Sequence, residues 1–531
     1  MADKMNAGSR FQTGMTESQA ILDVARECAA LTDPPVLPPE GQTATSALPE
    51  SYQSIGSYAV LSMVGRMLSE LYPPGFPWFQ LSMRPEIRYN VQSDPEELRG
   101  LSEILMLTEL QVQATLESSG IRPNDNSSPA GFLTQKVKSL RQLIVTGDTL
   151  ERLDDDFRIR VYRRDQYVTK RDSRGDVLYH ITREMVDPLS LTEDQQSASG
   201  LDIAKMRELP ADKRMHPLYT SVDWQPESKV WHISQEIDGN VINESDEDVS
   251  PYFGTPFRLA PDEDYGRGHV ELNIGNLRSN NTLEKRLLDI HSIMSKAVPV
   301  IDHGSPTREH HLTLETGVPI RAKVRDGKIQ DIAFLGYGNI AEHRSLMDGI
   351  ERKTRELAQA FLVESASSRD AERVTAFERR RNAQELNSAI GGVYPSISDS
   401  PHVPMLRRAI YVLNKKGILP SKKLDESIYE IRSLTGLTAI VRDQKAQSLL
   451  DLAQVAQALG PEALQQIDMG VLMETFLTYR SIYEPGLKLT PEQIAERQQA
   501  EQANQAQAAM VEAGANTAGQ IAVEQVRQQG A

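Results

Sequence analysis

The sequence predicts an α+β fold that is mainly α. Three observations carry that prediction. Apolar residues recur at helical three- and four-residue spacing over most of the chain. One block, Phe157 to Ile242, alternates apolar and polar residues as antiparallel strands do. Two long helical patterns bracket a short mixed segment at 300–338.

Taken in order, residues 31–50 hold five prolines and read as an extended arm. A helix follows from about Ser54 to Tyr72, with Val60, Met63, Val64, Met67, Leu68 and Leu71 on one face. The proline-rich "PPGFPWF" ends it, because proline cannot continue a helix. Helical spacing returns from Pro95 to Ser118 and from Phe132 to Thr146. The β block opens with "FRIRVYRRDQYVTKRDSRGDVLYHI", which turns at "DSRGD". It continues through "HPLYTSVDWQPESKVWHISQEIDGNVI", with a second turn at "DGN". Arg174-Gly175-Asp176, an integrin-type triplet, is explained by the hairpin tip. "NESDEDVS" reads as an acidic loop.

A helix is then predicted from His269 to Val298, striped by Leu283, Leu287, Ile290, Met294, Ala297 and Val298. Short strands are predicted at "HLTL", "IRAKV" and "IQDIAFL". A second long helix runs from Ile340 to Val363, about 36 Å at the usual rise. Its stripe is Leu346, Met347, Ile350, Leu357, Phe361 and Leu362. Helical pattern restarts at Ala371–Ser388, and further helices fill 402–482. From Ala495 the chain is rich in Gln and Ala with almost no large apolar residue, so that tail has no core of its own.

The bulk numbers narrow the function. A chain of 531 residues exceeds one compact core and implies two to four structural units. The formal charge is −16, from 74 acids against 58 bases, which disfavours a protein that coats nucleic acid nonspecifically. A single cysteine, Cys28, excludes an internal disulfide and a multi-cysteine metal site, and suits a reducing compartment. Neither a signal-peptide core nor a run of 18 apolar residues occurs, so a soluble protein is expected.

Each catalytic motif in the sequence also has a structural explanation. "IQDIAFLGYGNIAEH" places Gly336-Tyr337-Gly338 between a strand and a helix, which fits the dinucleotide fingerprint locally. The fingerprint also needs a second parallel strand after the helix, and "ESASSRDAERV" is not one. A tight strand-to-helix turn accounts for the glycines. A nucleotide-dependent oxidoreductase using the Gly336 turn is the enzymatic alternative. Gly327-Lys328 lacks the upstream glycine of a phosphate loop, and no nucleophile elbow or zinc-protease helix occurs. Adjacent His310 and His311 point apart on any regular element. Asp262, Glu263 and Asp264 form a solvated acidic loop in preference to a Mg²⁺ site. No catalytic residue, metal or cofactor is assigned, and the balance moves toward a structural protein, either a ring or another scaffold of a larger particle.

Two stretches, "DEDYGRGHVELNIGNL" and "AERVTAFERRRNAQELNSAIGGVY", resemble the portal, or head-to-tail connector, family of podovirus-type, autographivirus-like tailed bacteriophages. Three more strings follow in the same order. "YQSIGSYAVLSMVGRMLSELYPPGFPWFQL" is similar to the family's N-terminal helix and its exit. "RRDQYVTKRDSRGDVLYHITRE" is similar to its β insert, and "LKLTPEQ" precedes a Gln/Ala-rich tail. The likeness runs collinearly from about residue 50 to 531.

The resemblance implies a non-enzymatic subunit of a twelvefold ring at one capsid vertex of the virion, assembled in the host cytoplasm. It implies a wing at 1–267 and 373–430, stem helices at 268–299 and 339–363, and a clip at 300–338. It also implies a channel loop at 364–372, a crown at 431–493 and a tail at 494–531. Ser365, Ser367, Ser368, Arg369 and Arg373 would then face double-stranded DNA in the channel. Arg308, Glu309, Arg321, Lys323 and Arg325 would dock partners at the clip. The implied partners are further copies of the chain, the terminase large subunit, a tail adaptor, major capsid and scaffolding proteins, and internal core or ejection proteins at the crown. No membrane is implied.

Overall fold

The computed structural model describes residues 6–42, 46–73, 77–91, 95–119, 131–294, 298–301, 303, 323–326, 328–330, 332–335, 340–363, 394–419, 426–434, 437–459 and 469–480. Two compact units are present, Met1–Ile440 and Val441–Ala531. The protein is mixed α and β, mainly helical, with small antiparallel sheets.

Two helices that the sequence reading missed open the chain, α1 (Ala7–Glu17) and α2 (Gln19–Thr32). Asn6 caps α1 by accepting from the Ser9 backbone N–H. The proline-rich arm follows, with a short 3₁₀ turn at Pro34–Val36. Helix α3 (Ile55–Leu71) buries Val60, Met63, Val64, Met67 and Leu71 of the predicted stripe, and Leu68 is partly buried against the same core. Strand β1 (Phe79–Met83), α4 (Pro85–Val91), α5 (Pro95–Ser118) and α6 (Phe132–Thr146) come next. The bounds of α5 and α6 match the predicted ones. Helix α6 ends because Gly147 adopts φ 85, a left-handed cap that favours glycine.

The β block splits between two sheets. Strands β2 (Asp148–Leu153), β3 (Ile159–Tyr162), β4 (Tyr167–Arg171) and β5 (Val177–Val186) precede two short helices, α7 (Glu193–Ala198) and α8 (Ile203–Glu208). Strands β6 (His216–Gln225), β7 (Val230–Ile237), β8 (Asn240–Glu247) and β9 (Tyr252–Pro256) complete it. One sheet has the order β3-β2-β9, the other β4-β5-β6-β7-β8. Both predicted turns are hairpins. Asp172 accepts from the Arg174 and Asp176 backbone N–H groups at the first. Asp238 and Gly239 take φ 49 and 84 at the second, as a two-residue primed turn requires. The acidic segment expected to be a loop is mostly strand, because β8 pairs with β7 along its length and two of its acids find side-chain partners. His232 faces Asp246, and Arg408 and Lys415 reach Glu247.

Helix α9 (His269–Leu272) is followed after one residue by α10 (Ile274–Met294). The helix expected from His269 to Val298 therefore breaks at Asn273 and ends at Met294. Val298 instead begins β10 (Val298–Ile301), where its β-branched side chain suits a strand. Two short strands, β11 (Val324–Arg325) and β12 (Lys328–Ile329), and β13 (Ile332–Leu335) lead to α11 (Ile340–Ala360). That helix stops three residues short of the predicted end, and Leu362 is in a turn at φ 57. Helix α12 (Tyr394–Lys415) contains Pro401 and Pro404, and β14 (Tyr429–Ser433) pairs with β1. Helices α13 (Leu437–Leu459) and α14 (Met469–Arg480) come last, with Lys445 near the Tyr479 ring.

The main core gathers α2, α3, α5, α6, β1 and α12 around Tyr72, Trp78, Phe132 and Met405. A second core, with Leu150, Tyr162, Tyr167, Val222 and Tyr252, lies between the two larger sheets. Helix α1 covers the opposite face of the five-stranded sheet, where Phe11 meets Val168 and Ile181. Among the described residues no helix is long and apolar enough to cross a membrane.

Candidate functional site

The most distinctive feature is a long helical hairpin carrying small sheets at its tip. Leu283 of α10 lies 3.7 Å from where a Cβ on Gly349 of α11 would sit, an ordinary contact distance, so the two helices meet at this point. Leu287 and Leu357 are buried, and Ile290 and Leu346 line a shallow groove between the helices with Arg286, Asp289 and Ser345. Leu288 and Met347 remain exposed on the outer faces. Of the predicted stripe residues, Leu287 and Leu357 are buried and Met347 is uncovered in the single chain; the uncovered Leu288 lies outside the predicted stripe.

The base of the hairpin is fixed by polar contacts. The His269 ring is buried, its Nε2 is 3.0 Å from the Ala360 carbonyl, and it stands edge-on to Phe361 at 4.7 Å. Burial lowers its pKa, which keeps it neutral. Lys353 Nζ donates to Asn276 Oδ1 at 2.9 Å, Tyr52 N donates to Asn281 Oδ1 at 2.8 Å, and Arg278 pairs with Glu27 of α2. Immediately before α9, Gly268 passes Gly147 so closely that a Cβ at 147 would sit 2.4 Å from the Gly268 nitrogen. The "YGRGH" string is thereby accounted for locally: its glycines permit a backbone crossing.

At the tip, β10 and β13 pair antiparallel, Val298 opposite Leu335 and Ile301 opposite Ile332. Strands β11 and β12 form a minimal hairpin whose Arg325 faces Lys328, with Asp326 at φ 53. Lys323, Arg325 and Lys328 are all exposed. Like charges directly opposite each other on a strand pair oppose folding, so this arrangement is not explained by stability. Lys323 and Arg325 were singled out from sequence. Lys328 was not, although the "RDGK" turn that sets it opposite Arg325 is readable. Arg308, Glu309 and Arg321 lie outside the described residues. So do the channel-loop candidates Ser365, Ser367, Ser368, Arg369 and Arg373, and the glycine turn at Gly336. The strand leading to Gly336 is antiparallel to its partner, whereas a dinucleotide-binding unit uses parallel strands. Two of the three acids of the expected acidic loop are engaged locally: Asp264 accepts from Lys170 and the Arg171 backbone, and Glu263 pairs with Arg267.

A family model described as bacteriophage head to tail connecting protein matches residues 5–484. The chain is 27% identical over 483 residues to the portal protein of Escherichia phage T7, covering 88% of this chain and 85% of that protein. It is 28% identical over 487 residues to the portal protein of Enterobacteria phage T3, with the same coverage. The portal protein of Pseudomonas phage phiKMV is 25% identical over 531 residues, covering 97% of this chain and 98% of that protein.

Proposed function

The chain belongs to the bacteriophage head-to-tail connecting protein family and functions as a portal protein, and we propose that it does so as a twelvefold ring whose axial channel passes double-stranded DNA. The observation that carries this reading is the helical hairpin with small sheets at its tip, set inside a chain that matches connector proteins almost end to end.

In this reading the hairpin α10/α11 is the stem, within 268–299 and 339–363. The sheets at 300–338 are the clip, 1–267 and 373–430 the wing, and 431–493 the crown. Leu288 and Met347 are covered by neighbouring copies, which accounts for exposed apolar groups on otherwise polar helices. Lys323, Arg325 and Lys328 present a cationic edge for a packaging motor and then a tail adaptor. Ser365, Ser367, Ser368, Arg369 and Arg373 line the channel, where arginine contacts to phosphate hold DNA without reading sequence. The acidic balance, −16 per copy, keeps the number of phosphate contacts low so that DNA slides. The ring sits at a capsid vertex, contacting capsid and scaffolding proteins at the wing and internal proteins at the crown. It supplies no catalysis of its own; a separate terminase drives packaging.

Native mass spectrometry of the purified protein tests the assembly. A particle of roughly 710 kDa is expected for about twelve copies of the 59.2 kDa chain. A monomer at all concentrations would refute the ring.

A further inference from the structure

His291 and His343 face each other across the open end of the helical hairpin. His291 lies three residues before the end of α10, and His343 three residues after the start of α11. Their Nε2 atoms are 2.8 Å apart, with ring centroids at 5.1 Å and planes at 31°. His291 is exposed and His343 half-buried, so water reaches the pair. As neutral rings they share one hydrogen bond, one Nε2–H donating and the other Nε2 accepting. Such a bond adds little net stability where water competes for both partners. Folding therefore gives little reason to set two imidazoles head to head at this point.

We propose that His291 and His343 form a two-imidazole site for a divalent transition metal, Cu(II) or Ni(II), that clamps α10 to α11 beneath the tip sheets. Neutral imidazole is a favoured ligand of these ions. With metal–nitrogen bonds of about 2.0–2.1 Å, nitrogens 2.8 Å apart subtend about 85° at the ion. That is near the ~90° between neighbouring ligands of a square-planar or tetragonal centre. It falls short of the roughly 109° of tetrahedral Zn(II).

The rings stand nearly head to head along the Nε2–Nε2 line, so each must turn by about 47° to aim its lone pair at a common ion, a change that side chains reached by water can make. The ring that donated its Nε2 proton carries it on Nδ1 when both Nε2 atoms ligate. Among the described residues no third His, Cys, Asp or Glu completes the set, so water fills the remaining positions. The ion would join two helices otherwise connected here through residues 295–339, and so stiffen the junction between hairpin and tip. The inference rests on the pair itself and is independent of ring formation.

The test is Cu(II) titration of the full-length protein, followed by electron paramagnetic resonance and calorimetry. One tight equivalent per chain is expected, with nitrogen splitting in the copper signal. His291→Gln and His343→Gln should each weaken that equivalent at least tenfold while leaving circular dichroism unchanged. Each variant sits on a different helix and touches solvent, so loss of folding in one leaves the other to decide. Copper binding of the same stoichiometry and affinity in wild type and a folded variant would overturn the site.

Discussion

Arg408 of α12 and Glu247 at the end of β8 meet at 3.0 Å although 161 residues of chain separate them. The same guanidinium donates to Asp155 at 2.7 Å and to the Val249 carbonyl at 2.9 Å, and its side chain is 3% exposed. One buried cation thus ties the late helix α12 to the β insert. Arg408→Met should lower stability by about 3 kcal/mol, because Glu247 would be left largely buried without its main partner. Arg408→Lys should recover only part of this, since an ammonium cannot reach three acceptors in a fixed fork. Urea unfolding of both variants checks the ranking.

A second buried pair permits a sharper experiment. Lys136 Nζ lies 2.6 Å from Glu151 Oε2, with side chains 2% and 1% exposed, and Ser139 also donates to Glu151. Lys136→Met alone should destabilise by about 3–5 kcal/mol, because it strands a buried carboxylate. The double variant Lys136→Met with Glu151→Leu should be far less damaged than the sum of the two singles. A double-mutant cycle read by denaturant midpoint gives the coupling directly.

Two histidines should make stability depend on pH. Burial, reinforced by Arg171 for His180 and by Lys136 for His402, lowers both to about 3. The unfolded chain takes up these protons near pH 6.5, while the folded chain does not until about pH 3. Their stabilising contribution is therefore complete above the unfolded value and is lost progressively as pH falls through this window. The slope approaches ~1.4 kcal/mol per pH unit for each histidine. Between pH 6.5 and 5, His402→Gln should flatten the fall in the urea midpoint relative to wild type. An unchanged slope would show that His402 does not carry the linkage.

The cationic edge at the tip should act on partners and not on folding. Reversing Arg321, Lys323 and Arg325 to Glu, with or without Lys328→Glu, is expected to leave the assembly intact. Docking of terminase or tail adaptor should weaken at least tenfold, with a slower on-rate that wild type approaches only at high salt. Surface plasmon resonance on size-selected particles separates the two effects. Dissociated particles with unchanged docking per particle would assign these residues to assembly instead.

Arg369→Ala tests the channel. Removal of one cation per copy should leave assembly normal and reduce the DNA retained during packaging. The deficit should be largest at low salt and shrink as salt rises, because a variant with fewer phosphate contacts loses less to screening than wild type. Nuclease-protected DNA followed over time measures it, and wild-type retention at every salt concentration would place Arg369 away from DNA.

Much of the secondary structure was readable because it is written in local spacing. The apolar stripe of α3, the bounds of α5 and α6 and the turns at Asp172–Asp176 and Asp238–Gly239 depend on residues within a few positions of one another. The sequence by itself also determined the family, since an ordered set of strings needs no coordinates, and it marked Lys323 and Arg325.

Tertiary structure decided what depends on distant partners. Helices α1 and α2 escaped notice because their short apolar faces gain meaning only against Val168 and Ile181 or against the main core. The acidic run 243–247 is a strand because β7, Arg408 and Lys415 lie beside it, and an isolated acidic peptide has none of these. His291 against His343 is likewise a product of helix packing. Local periodicity fixes which face of an element seeks a partner. Only the folded chain fixes which partner meets it, because that choice is made by burial and by compensation of charge over long stretches of sequence.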